Sequence, residues 1–147
     1  MKKIIFLLSV SLLFITGNYA QSAWEVLVNW DDSDENCACS NYATASFKIV
    51  FEVSDVANGE QFDPVTVFKP YTASSHTFDC SDDPDIEYYC NEINHEYTPS
   101  FTIRCSVTLG HYGSIPVVEH CTDSEQMTGQ SCLNFSNGFT FTSLYLE

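Results

Sequence analysis

Positive charge is what this chain has least of. Its 147 residues hold five Lys and Arg against 20 Asp and Glu, a formal charge of −15. Two of the five are Lys2 and Lys3, just ahead of an apolar run of about a dozen residues from Ile4 to Ile15. That run is shorter than the ~20 residues a membrane-spanning helix needs, and a basic start followed by such a run has the layout of a secretory signal. Residues 1–20 are therefore read as the signal and 21–147 as a single domain, which keeps Lys48, Lys69 and Arg104 against the same 20 acids, about −17. A surface so charged repels phosphate. It excludes nucleic acid as a partner, and it excludes anionic membranes unless a cation bridges the two.

Helical periodicity is also missing, as are the short motifs that carry chemistry. There is no Gly-x-Ser-x-Gly, no phosphate-cradling glycine loop and no dinucleotide fingerprint. His95-Glu96 begins like a zinc-protease helix, but Pro99 stands where the second histidine belongs. His76, His95, His111 and His120 have no spaced partner that suggests a zinc site. The chain is expected not to be an enzyme.

Strands are what the sequence does contain. Across Ser100 to Gly110, the residues Phe101, Ile103, Cys105, Val107 and Leu109 alternate with Thr102, Arg104, Ser106 and Thr108, the period of a half-buried strand. Residues 24–30 put Trp24, Val26, Val28 and Trp30 on one face, and residues 45–55 do the same with Phe47, Ile49, Phe51 and Val53. Asn58-Gly59 predicts a tight turn, with 65–72 as a returning strand that Pro70 confines to an edge. A weaker strand is expected over 115–121, a polar turn over 122–130 and a second hairpin turn at Asn137-Gly138. The last strand, from Phe139, keeps its period only if a bulge near Thr142 brings Leu144 and Leu146 inward.

Seven cysteines follow the signal, a density that reads as a disulfide framework in an oxidising compartment. Spacing favours two local closures, Cys80 with Cys90 and Cys121 with Cys132. Cys105 then pairs with Cys37 or Cys39, for which Cys39 is taken, and one thiol is left over because the count is odd.

Two acidic loops supply the candidate site. Asp32 and Asp34 alternate like the first ligands of an EF-hand, but Cys37 replaces the glycine and Ala43 the closing glutamate that such a loop needs. The segment 73–98 reads as one long excursion, and such loops are often functional. Within it, Asp83, Asp85 and Glu87 are candidate Ca²⁺ ligands, and Tyr88, Tyr89 and Tyr97 are candidate contact residues.

The strands and turns predict an all-β domain, a single antiparallel β-sandwich stapled by disulfides. In strand count and disulfides it is similar to immunoglobulin-like, C2-like and transthyretin-like sandwiches, and no cysteine–tryptophan spacing or complete calcium loop selects one of them. The expected function is that of a secreted or cell-surface interaction or structural module, with the periplasm an alternative destination. Its expected partners are an extracellular protein, a second copy of itself or a glycan. A calcium-dependent carbohydrate- or lipid-binding domain is the first alternative, and an extracellular enzyme or enzyme inhibitor the second.

Overall fold

A computed structural model describes residues 24–31 and 42–146. The expected signal, Asp32, Asp34, Cys37 and Cys39 lie outside the described residues. In chain order the elements are β1 (Glu25–Asp31), a 3-10 turn (Tyr42–Thr44), β2 (Ser46–Asp55), β3 (Glu60–Gln61), β4 (Val65–Pro70) and β5 (Ser75–Asp79). They are followed by α1 (Pro84–Asn91), β6 (Phe101–His111), β7 (Val118–Gln130), α2 (Cys132–Asn137) and β8 (Phe139–Tyr145).

These strands form two sheets with the expected sandwich between them. The smaller runs β5-β1-β8; in the larger, β2 pairs with β6 on one edge and with both β3 and β4 on the other, and β7 follows β6. The alternating faces read from sequence are the faces that meet. Trp24, just before β1, and Val26, Val28 and Trp30 of β1 are buried with Phe47, Ile49, Phe51 and Val53 of β2 and Phe101, Ile103, Cys105, Val107 and Leu109 of β6 in one core. Aromatic rings tie the layers: Trp24 stacks on Phe51 at 5.9 Å, Phe51 on Phe78 at 4.9 Å, and Phe135 meets Trp24 edge-on at 5.7 Å. Each such pair adds ~0.5–1.5 kcal/mol beyond the burial of its apolar area.

The bulge expected near Thr142 is present. Val28 lies opposite Phe141 but Trp30 lies opposite Leu144, so two residues of β1 face three of β8, and Leu144 and Leu146 are buried. One pairing departs from the antiparallel expectation, because β1 and β8 run parallel. The chain passes from β7 in the larger sheet to β8 in the smaller one through α2 instead of a hairpin. Asn137-Gly138 therefore does not turn a hairpin. Gly138, at φ 72°, caps α2, and its N–H bonds to the Phe135 carbonyl at 3.1 Å.

Two further expectations are corrected. The 73–98 excursion carries β5 and α1, and the supposed turn over 122–130 belongs to β7, a strand of 13 residues. Positions 123 and 125 of β7, on its half-buried side, are Asp and Glu, so the strand has no apolar alternation to read. Its register on β6, from Leu109 opposite Cys121 to Ile103 opposite Met127, is what fixes it.

The disulfide framework is also different. Cys90 of α1 bonds Cys132 of α2, in place of Cys80 with Cys90 and Cys121 with Cys132. Cys80 and Cys105 are free thiols, so Cys105 is not paired with Cys39, and Cys121 is held in a disulfide of its own. Local closure favours cysteines close in sequence, whereas the sandwich brings the two helices together with Cα atoms 5.6 Å apart across a separation of 42 residues.

Candidate functional site

The site is organised by Asp55, the last residue of β2, which is fully buried. A buried carboxylate needs hydrogen-bond donors, and this one has four. The Ala57 and Ser100 N–H groups donate to Oδ1 at 3.0 and 2.9 Å. The Asn58 side-chain amide and the Tyr89 hydroxyl donate to Oδ2 at 2.7 and 2.9 Å. Burial pushes the Asp55 carboxyl up, but the donors from Ser100, Asn58, Tyr89 and Ala57 together outweigh it and hold the group below the usual aspartate value. Asn58 is pinned in turn. Its amide donates to the Tyr97 carbonyl at 2.8 Å while its oxygen accepts the Tyr97 N–H at 2.8 Å. One carboxylate thus ties the turn after β2, the segment entering β6, and helix α1.

Helix α1 forms where the sequence offers a start signal. The Asp83 carboxylate accepts the Asp85 N–H at 3.0 Å, Pro84 opens the helix, and Asp85 and Glu87 sit in the first turn, where negative charge meets the helix dipole. Ile86 is buried beneath, and the Cys90–Cys132 bond fastens the far end.

Between α1 and the segment Glu60–Pro64 lies a cleft of about 400 Å³. Glu60, Gln61, Phe62 and Asp63 form one wall; Asp85, Tyr88, Tyr89 and Glu92 form the other. Four of these eight residues are carboxylates and none is a cation. Phe62 meets the Tyr89 ring edge-on at 5.3 Å, and Tyr88 projects with 71% of its surface exposed. The local field is strongly negative. Burial, the bond to Asp55 and the charges of Asp55, Glu60 and Glu92 push the Tyr89 hydroxyl up to about 12.

The structure therefore brings Asp85, Tyr88 and Tyr89 together and separates the other residues singled out from sequence. Asp83 is buried in its capping role, with its carboxyl raised by burial and by the neighbouring charges of Asp85 and Asp63 against the opposing pull of backbone N–H groups. Glu87 faces the crevice toward α2, beside Cys90 and Cys132. Tyr97 is exposed, and it is its backbone that Asn58 holds. Glu60, Asp63 and Glu92 were not foreseen as site residues; their signal was only an acidic segment flanking a turn. Among the described residues no three His, Cys, Asp or Glu are grouped to hold a metal ion. No helix among them is long and apolar enough to cross a membrane.

Comparison with protein-family models, with curated proteins and with solved structures finds no match for this chain.

Proposed function

We propose that the protein is a secreted, non-catalytic interaction module acting at the cell surface or outside the cell, and that its acidic tyrosine cleft captures a basic segment of a partner protein. The observation that carries this reading is the composition of the cleft: four carboxylates, a projecting tyrosine and no Lys or Arg among the lining residues. A Lys or Arg side chain entering it meets opposite charge on both walls and the Tyr88 ring face, an attraction of ~0.5–1 kcal/mol at an exposed site. Rim charges of this kind steer association and make it salt-dependent more than they make it tight. Disulfide bonding fits an oxidising destination outside the cell.

The test is fluorescence anisotropy with a labelled decapeptide of alternating Gly and Lys/Arg, against a Gly/Ser control. Binding is expected for the basic peptide, falling steeply with salt and by at least about tenfold in a variant carrying Glu60→Gln, Asp63→Asn, Asp85→Asn and Glu92→Gln. Equal binding of both peptides, or binding that ignores the four substitutions, rejects the reading.

A further inference from the structure

The outer face of the larger sheet carries a second depression, of about 510 Å³, separated from the tyrosine cleft by the ridge Gln61–Asp63 that lines both. We propose that this depression is a saccharide subsite that takes an uncharged oligosaccharide.

The argument starts from Arg104. In a chain this poor in cations it stands on β6 facing outward and exposed, with Glu52 directly opposite on β2 and Gln126 directly opposite on β7. Cross-strand neighbours of opposite charge usually pair, yet among the described residues no ion pair joins Arg104 to Glu52. The guanidinium donates a single long bond, from Nη2 to Ser124 Oγ at 3.4 Å. Of its five N–H groups most are free to point at a ligand.

The other lining groups narrow the ligand's chemistry. Glu52 and Asp63 only accept hydrogen bonds, Arg104 only donates them, and the Gln61 and Gln126 amides do both. An anion entering here meets two carboxylates and the field of the whole chain; a cation is drawn by that field but ends beside the like charge of the exposed Arg104. An apolar ligand would leave these polar groups desolvated and unpaired. A ligand whose hydroxyls both donate and accept satisfies all of them at once. The half-buried ring of Phe62 adds an apolar surface for the C–H face of a sugar ring.

Side-chain NMR of the purified, isotope-labelled protein tests this, with cellotetraose, mannotetraose, xylotetraose and chitotetraose as probes and tetragalacturonate and tetralysine as charged comparators. At least one neutral tetrasaccharide is expected to shift the Arg104 Nε–H and Gln126 amide resonances with a dissociation constant of about 1 mM, and neither charged comparator to do so through those groups. Arg104→Ala and Gln126→Ala are each expected to weaken binding by at least about tenfold, with Arg104→Lys intermediate because it keeps the charge and loses the planar fork. Glu60→Gln with Glu92→Gln, which alters the tyrosine cleft and no residue lining this depression, is expected to leave it unchanged. Absence of shifts with all four neutral probes at ~20 mM, twenty times the expected constant, overturns the proposal. So does binding that survives Arg104→Ala, or equal binding of tetragalacturonate. Basic-peptide capture by the neighbouring cleft stands or falls separately.

Discussion

Replacing Asp55 is the most direct way to ask whether one carboxylate organises the region around the cleft. Asp55→Ala orphans four donors, those of Ala57, Asn58, Tyr89 and Ser100. Bonds to a charged acceptor contribute ~1.5–3 kcal/mol each, which would total ~6–12 kcal/mol if they were independent. They are not independent, and all four donor residues are only half-buried, so water reaches some of them once the carboxylate is gone. The expected loss is about 4 kcal/mol, in the ~3–5 kcal/mol range for breaking a buried charged network. With a urea m-value of about 2 kcal/mol/M this lowers the unfolding midpoint by about 2 M. Asp55→Asn is expected to cost about 2 kcal/mol, because its oxygen can keep the two backbone donors while its amide nitrogen must face the Asn58 amide. Asn58 cannot flip to accommodate it without losing both bonds to Tyr97. The pH dependence has a definite sign. The folded Asp55 value lies below the unfolded value of ~3.9, so its contribution is complete above that value and is lost as pH falls through the folded one. The gap between wild type and Asp55→Asn therefore closes in acid, whereas the general relief of negative repulsion affects both proteins alike. A loss under ~1 kcal/mol for Asp55→Ala, or a gap that widens in acid, refutes the reasoning.

Three other expectations concern the cysteines and the β6–β7 connection. Peptide mapping under non-reducing conditions should recover Cys90 linked to Cys132, and Cys90→Ala with Cys132→Ala should cost about 4 kcal/mol by the chain-entropy relation for a separation of 42 residues. In the same sample Cys105, buried and with its thiol pushed up to about 12 chiefly by desolvation, should react with iodoacetamide only after unfolding, while partly exposed Cys80 reacts in the native state; alkylation of native Cys105 would contradict its placement. At Gly110 a Cβ would come within 2.7 Å of the Val118 carbonyl and 3.1 Å of the Tyr112 ring, so Gly110→Ala should lose ~1–3 kcal/mol in urea unfolding, and a neutral result would mean that the bulge there yields freely.

The parts of this fold that are legible in the sequence are those where burial alone decides. Phe47, Ile49, Phe51 and Val53 declare a strand because each inward position is apolar, and each is at most 5% exposed in the structure. Strand β7 does not, because Asp123 and Glu125 occupy its half-buried side and the register on β6 holds it instead. Among the described side chains of helix α1, Ile86 alone is an apolar one fully buried, too little for a 3.6-residue stripe. It carries a start signal in Asp83-Pro84 all the same, where the Asp83 carboxylate caps the helix. Cysteine pairing followed spatial neighbours that only the assembled sandwich creates. The tyrosine wall of the cleft was legible as a cluster within one segment. Its other wall was not, since nothing in the spacing of Glu60 to Asp63 encodes which helix they will face.

Both walls of that cleft hang from Asp55, and this explains why an acidic site can persist in so acidic a chain. The segment Glu60–Asp63 follows directly on the turn that Asp55 holds through Ala57 and Asn58, and α1 is held to the same carboxylate through Tyr89. Glu60, Asp63, Asp85 and Glu92 repel one another across the gap, and among the described residues the one Lys or Arg ion pair lies elsewhere, between Lys48 and Glu119. Left to electrostatics the walls would part. They are kept together by a buried anion that donors surround on four sides, and by the Cys90–Cys132 bond at the other end of the helix. The repulsion so retained favours any cationic group that relieves it, because the cost of assembling the carboxylates is borne by folding and not by binding.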